Sequence, residues 1–157
     1  MGEVVCVWDV RAQLGEGPVW IAEEAALYFV DIKSQKIHRF HPESEDKKTW
    51  DTPEMCGFLL PIEGGGFVAG LQSGLHRFDT ADGSFTLLHK VEPDLPGNRL
   101  NDGFVDAEGR LWFGSMDNTE ATAAGRLYCL SNGVITAHDE GYVVTNGPAM
   151  SPDGKTL

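Results

Sequence analysis

Arg99, Asn101 and Asp102 place a guanidinium, a carboxamide and a carboxylate within four positions of a 157-residue chain. Groups of this kind bind polyhydroxy ligands, because each offers several donors or acceptors, and they are costly to bury without partners. Two further segments set a similar group beside glycine and proline. These are Gly15-Glu16-Gly17-Pro18 and Thr145-Asn146-Gly147-Pro148. Glycine lets backbone approach closely, and proline fixes the chain beside it. Glu16 and Asn146 supply a carboxylate and an amide oxygen, a hard donor pair that suits Ca²⁺, Mg²⁺ or Mn²⁺. Taken singly, each also reads as an ordinary polar loop residue.

The elements that would position these groups are short strands. Residues 3–10 alternate as a strand, and 26–32, 36–40 and 48–50 follow after turn signals. The pattern restarts at 58–61, 67–71, 74–78 and 85–89, and again at 110–116, 125–130 and 134–138. The strand centres Tyr28, Val68 and Trp112 recur at about 40 to 45 residues, the period of four-stranded propeller blades. IHRFHP at 37–42 and LHRFDT at 75–80 are near copies, and RLYCLS at 126–131 is a weaker one. The reading is all-β: a β-propeller with about three blades, at 11–55, 56–98 and 99–144, and a fourth opening at 145–157. The three polar segments begin successive rounds of the repeat as loops, so they should converge on one end of a central channel. Trp20, Trp112 and Phe113 are expected between blades, and His38 and His76, at the same repeat position, are expected to pack within them.

Composition narrows the function classes. A net charge of −12 with no basic run excludes nucleic acid as a natural partner. No apolar run reaches the length that crosses a bilayer, and the N-terminus lacks the features of a signal peptide. Cys6, Cys56 and Cys129 are odd in number and widely spaced, which argues for three reduced, partly buried thiols and a cytoplasmic setting. Asp106 and Glu108 read as hairpin-turn residues. The acidic run 43–46 lacks the ligand alternation of a calcium loop. Ser115 lacks the Gly-x-Ser-x-Gly setting of a serine hydrolase.

LGEGPVW, FVDIKSQKIHRF, NRLNDGFVDAEGRLWFGSMD and TNGPAMSPDGKTL, in that order, resemble the senescence-marker-protein, regucalcin and gluconolactonase family. The pattern is most similar to bacterial lactonases of xylono-, arabinono- and glucono-lactones, over essentially the whole chain. The resemblance implies a six-bladed propeller with one divalent metal in its channel (Ca, Zn, Mn, Mg or Fe) and hydrolysis of sugar lactones. It implies metal ligands at Glu16 and Asn146, and substrate contacts at Arg99, Asn101 and Glu120, with Asp117 a lesser candidate for the last. The family's third ligand, an Asp also proposed as general base, lies past Leu157. The chain is therefore expected to be an N-terminal half lacking that carboxylate, either a fragment or half of an assembly that a second chain completes. The alternative is a non-catalytic propeller module that binds protein partners or calcium. Convergence of Glu16, Arg99, Asn101 and Asn146 on one channel would favour the enzyme.

Overall fold

The computed structural model describes residues 3–157. Twelve strands form three four-stranded antiparallel meanders among these residues. The first blade comprises β1 (Gly15–Ile21), β2 (Ala26–Asp31), β3 (Lys36–His41) and β4 (Asp46–Asp51). The second comprises β5 (Cys56–Pro61), β6 (Phe67–Leu71), β7 (Gly74–Phe78) and β8 (Phe85–Lys90). The third comprises β9 (Asn98–Val105), β10 (Leu111–Asp117), β11 (Gly125–Ser131) and β12 (Val134–Tyr142). A single 3-10 turn at Ala22–Glu24 joins β1 to β2. This is a partial β-propeller, as the repeat predicts. No helix among the described residues is long and apolar enough to cross a membrane.

The core lies between the blades, because each sheet is apolar on both faces and needs a neighbour on each. Tyr28, Val30, Ile37 and Trp50 of the first blade meet Leu59, Phe67, Leu71 and Phe78 of the second. Phe58 and Leu75 of the second blade meet Leu100, Phe113 and Tyr128 of the third. Strand β10 is buried at every residue. His38 and His76 are buried within their blades as expected. Asp106 shapes the β9–β10 turn, accepting from the backbone N–H groups of Glu108 and Arg110, and it also takes the indole N–H of Trp112.

Several expectations need correction. Residues 3–10 form no strand. Their apolar alternation supplies side chains but no ladder partner, and Val4 is 98 % exposed; Trp8 packs edge-on against Phe29 and His38. Trp20 is not inter-blade core. It is 53 % exposed, on the rim of a groove between the β1–β2 and β5–β6 connections. Cys56 and Cys129 are buried, but Cys6 is exposed. Residues 145–157 add no strand, although Ser151–Gly154 does make the expected turn, with Gly154 N–H donating to Ser151 O at 2.9 Å.

Candidate active site

Glu16, Arg99 and Asn101 stand on strands, not in loops. Strands β1, β5 and β9 open successive blades, and β5 packs against both of the others. Each breaks its ladder near its start. The pairing of β1 with β2 slips between Glu16 and Val19, that of β5 with β6 between Cys56 and Phe58, and that of β9 with β10 at Asn101. A β-bulge leaves a residue out of the ladder and re-aims the side chains around it. Gly17 and Pro18 occupy the first bulge, where the missing proline N–H removes nothing from the ladder. Gly57 occupies the second because β5 passes against the carbonyls of Leu100 and Asn101, leaving no room for a Cβ.

The third bulge carries the candidate chemistry. Arg99 is 3 % exposed. Its Nη1 donates to Asn101 Oδ1 at 2.6 Å and to Leu100 O at 3.3 Å, and its Nε donates to Asn118 Oδ1 at 3.1 Å. Burial lowers the Arg99 pKa, while the nearby Glu120 and Glu16 carboxylates oppose that shift. Both glutamates therefore lie within electrostatic reach of the guanidinium. Among the described residues, the one sealed side-chain polar atom without a partner is His38 Nε2. Arg99 Nη2 makes no hydrogen bond to those residues.

Asn101 joins this cluster to the 145–148 segment. Its Nδ2 donates to Thr145 O at 2.6 Å and to Asn146 Oδ1 at 3.4 Å. Asp102 Oδ2 accepts from Gly147 N–H at 2.6 Å. Thr145 Oγ1 donates to Ser115 O at 2.8 Å, its side chain seated over Gly114 where a Cβ would collide with it. Asn146 is thus clamped through both neighbours, with its own side chain exposed. The sequence reading placed Asp102 in the cluster without this role. The only sequence signal for it was its adjacency to Asn101.

The two candidates beyond β10 differ in what they offer. Asp117 Oδ1 accepts from Thr119 N–H and Oγ1, and Oδ2 from Ala121 N–H, Thr122 N–H and Thr122 Oγ1. These bonds, those from Thr119 foremost, hold its carboxyl at about 2. Both oxygens are committed to the loop. Glu120 is exposed, in the left-handed region at φ 58°, and close enough to Arg99 to act on its charge. Ser115 is sealed and donates to Glu92 Oε1 at 2.7 Å, a carboxylate oxygen that also takes the Tyr128 hydroxyl.

For a cation, Glu16 and Asn146 fit in kind: both side chains are exposed, and both offer oxygen. They fit short in number, since no group of three or more His, Cys, Asp or Glu that could hold a metal occurs among the described residues.

Regucalcin of Xenopus laevis is 32% identical, covering 99% of this chain and 54% of that protein. L-arabinolactonase of Azospirillum brasilense is 34% identical, covering 99% and 53%. The chain spans about half the length of the curated relatives it matches. Among solved structures, a calcium-binding protein, regucalcin, from Agrobacterium tumefaciens superposes with a TM-score of 0.85 at 34% identity, covering 90% of this chain and 48% of that one. A luciferin-regenerating enzyme superposes at 0.84 and 31% identity, covering 90% and 50%. Residues 14–157 match the SMP-30/Gluconolactonase/LRE-like region, and the chain belongs to that family.

Proposed function

We propose that this chain carries the substrate-orienting part, and two metal ligands, of a divalent-metal-dependent hydrolase that opens sugar lactones to aldonic acids. The observation that carries the reading is the continuous polar connection from Arg99 through Asn101 to Asn146, with Glu16 and Glu120 acting on the same guanidinium. A protein-binding propeller has no need of a buried arginine tied to two asparagines and flanked by two carboxylates, so this convergence favours the enzyme over a non-catalytic module. The relatives named as lactonases support the same substrate class.

Arg99 Nη2 and the Glu120 carboxylate would hold ring hydroxyls, and Asn101 would fix Arg99 and Asn146 relative to one another. The gain is orientation, since a lactone held in one pose presents its carbonyl to a defined place. Glu16 and Asn146 would hold a divalent cation, which supplies polarisation of the carbonyl and charge stabilisation as water adds. A third carboxylate, supplied by later blades or by a second chain, would complete its ligands. Three free thiols suit a reducing compartment, and we read the setting as cytoplasmic.

Calorimetric titration tests this directly. A xylonolactam, which presents the ring and hydroxyls but resists opening, should bind the wild type and lose affinity in Arg99→Ala. Mn²⁺ should bind the wild type weakly and not bind Glu16→Ala or Asn146→Ala. Lactam affinity equal in wild type and Arg99→Ala would sink the reading.

A further inference from the structure

Arg99 is held by one residue that the lactonase reading leaves without a role. Asn118, just past β10, accepts Arg99 Nε at 3.1 Å on Oδ1. The same oxygen accepts Lys33 Nζ at 2.7 Å, and Lys33 Nζ also lies 3.4 Å from the Asn118 backbone carbonyl. Lys33 belongs to the β2–β3 turn of the first blade, 85 residues away in sequence. Asn118 N–H in turn donates to Gly97 O at 3.0 Å, just before β9. One amide therefore ties the first blade to the third, across the end where Arg99 lies, and anchors both to the entry of β9.

The geometry points to Asn118 as a positioning residue that aims Arg99, with Lys33 as its cross-blade tie; this rests on the lactonase reading above. A guanidinium has five N–H donors in a rigid fork. Fixing Nε on Asn118 and Nη1 on Asn101 and Leu100 leaves no rotation that keeps these bonds, so Nη2 points one way. Two cations share the Asn118 oxygen, an arrangement that repulsion would undo without the acceptor between them and the Glu16 and Glu120 carboxylates near the guanidinium. Lys33 is exposed and keeps further N–H donors beside the tie. The tie thus sets both the direction of Arg99 and the distance between the blades that frame a ligand.

The test uses the full chain, the same lactam and the Arg99 Nε–H signal in a proton–nitrogen NMR spectrum. Asn118→Ala should weaken lactam binding ~10-fold, the scale of one lost hydrogen bond to a charged group, and should broaden the Nε–H signal through solvent exchange. Asn118→Asp keeps the acceptor and should restore both. Lys33→Met should keep the Nε–H signal and weaken binding by a smaller factor. If Asn118→Ala does not fold, Asn118→Leu, which keeps volume without an acceptor, gives the same readout. Wild-type affinity in the folded Asn118→Ala or Asn118→Leu variant, while Arg99→Ala loses binding, would overturn the positioning role alone. Wild-type affinity in Arg99→Ala would instead remove the lactonase reading, and this inference with it.

Discussion

At the scale of single residues, carboxylates do two separable jobs here. Glu16 and Glu120 stay open to solvent, while Asp102, Asp106 and Asp117 spend their oxygens on backbone and side-chain donors. Asp102 is the informative one for function. Removing its carboxylate in Asp102→Ala frees Gly147 N–H and loosens the presentation of Asn146. Mn²⁺ affinity measured by calorimetry should fall ~10-fold, as for one lost charge-assisted hydrogen bond, with less effect on lactam binding; unchanged Mn²⁺ affinity would deny the clamp. Asp106 and Asp117 contribute to acid stability. Burial works to raise the Asp106 pKa, but the bonds from Trp112 and Arg110 prevail and hold it at about 2, below the ordinary 3.8. Asp117 is held at about 2 by its loop. A depressed carboxylate contributes stability that is complete above its unfolded pKa and is lost as pH falls through the folded one. Thermal midpoints should therefore hold down to about pH 4 and drop between 4 and 2, with a shallower drop in Asp106→Asn. An identical acid slope in that variant would refute the assignment.

At the scale of elements, bulged strands bring the site together, and glycines make the approach possible. Gly57→Ala would drive a methyl into the Leu100 and Asn101 carbonyls, backbone that has nowhere to move between two packed blades. Overpacking of this kind costs roughly 1–3 kcal/mol, so the melting midpoint should fall by several degrees. Gly114→Ala meets Thr145 instead, on a segment outside any strand. It should spare more stability but cost Mn²⁺ affinity, read by the same two measurements. The sequence made some of this legible and hid the rest for physical reasons. Strands β6 and β7 coincide with the predicted 67–71 and 74–78, because an apolar pattern bounded by glycine leaves little choice of ends. Strand β9 reads as a loop because its first half is polar; those residues are buried by the neighbouring blades, and single-strand patterning cannot express that. Residues 3–10 fail the other way, having a strand's alternation but no partner ladder. The candidate residues themselves were found through their types and motifs. Lys33 and Asn118 were not, since a contact spanning 85 positions leaves no local signal.

At the scale of the whole molecule, two opposed terms act on the outward face of the third blade. Trp112, Leu127, Tyr142, Val144, Pro148 and Leu157 line a concavity there together with His138, Asp139, Thr145 and Asn146, and Val134 is exposed on β12. Exposed apolar side chains next to a strand edge favour association. The net charge of −12 opposes it by mutual repulsion between chains. Only the second term is screened by salt, since the Debye length shrinks from about 30 Å at 0.01 M to about 8 Å at physiological ionic strength. Light scattering should then report single chains at low salt and a rising average mass as sodium chloride is added. Val144→Lys and Val134→Lys place charge on the concavity and on the edge, at exposed positions whose replacement costs little packing. They should flatten the rise without lowering the melting midpoint. If the wild-type mass stays that of one chain at every salt concentration, the repulsion is not what keeps the face apart. If the lysine variants associate as the wild type does, the contact lies elsewhere, and the exposed Trp20 groove at the first blade becomes the surface to probe.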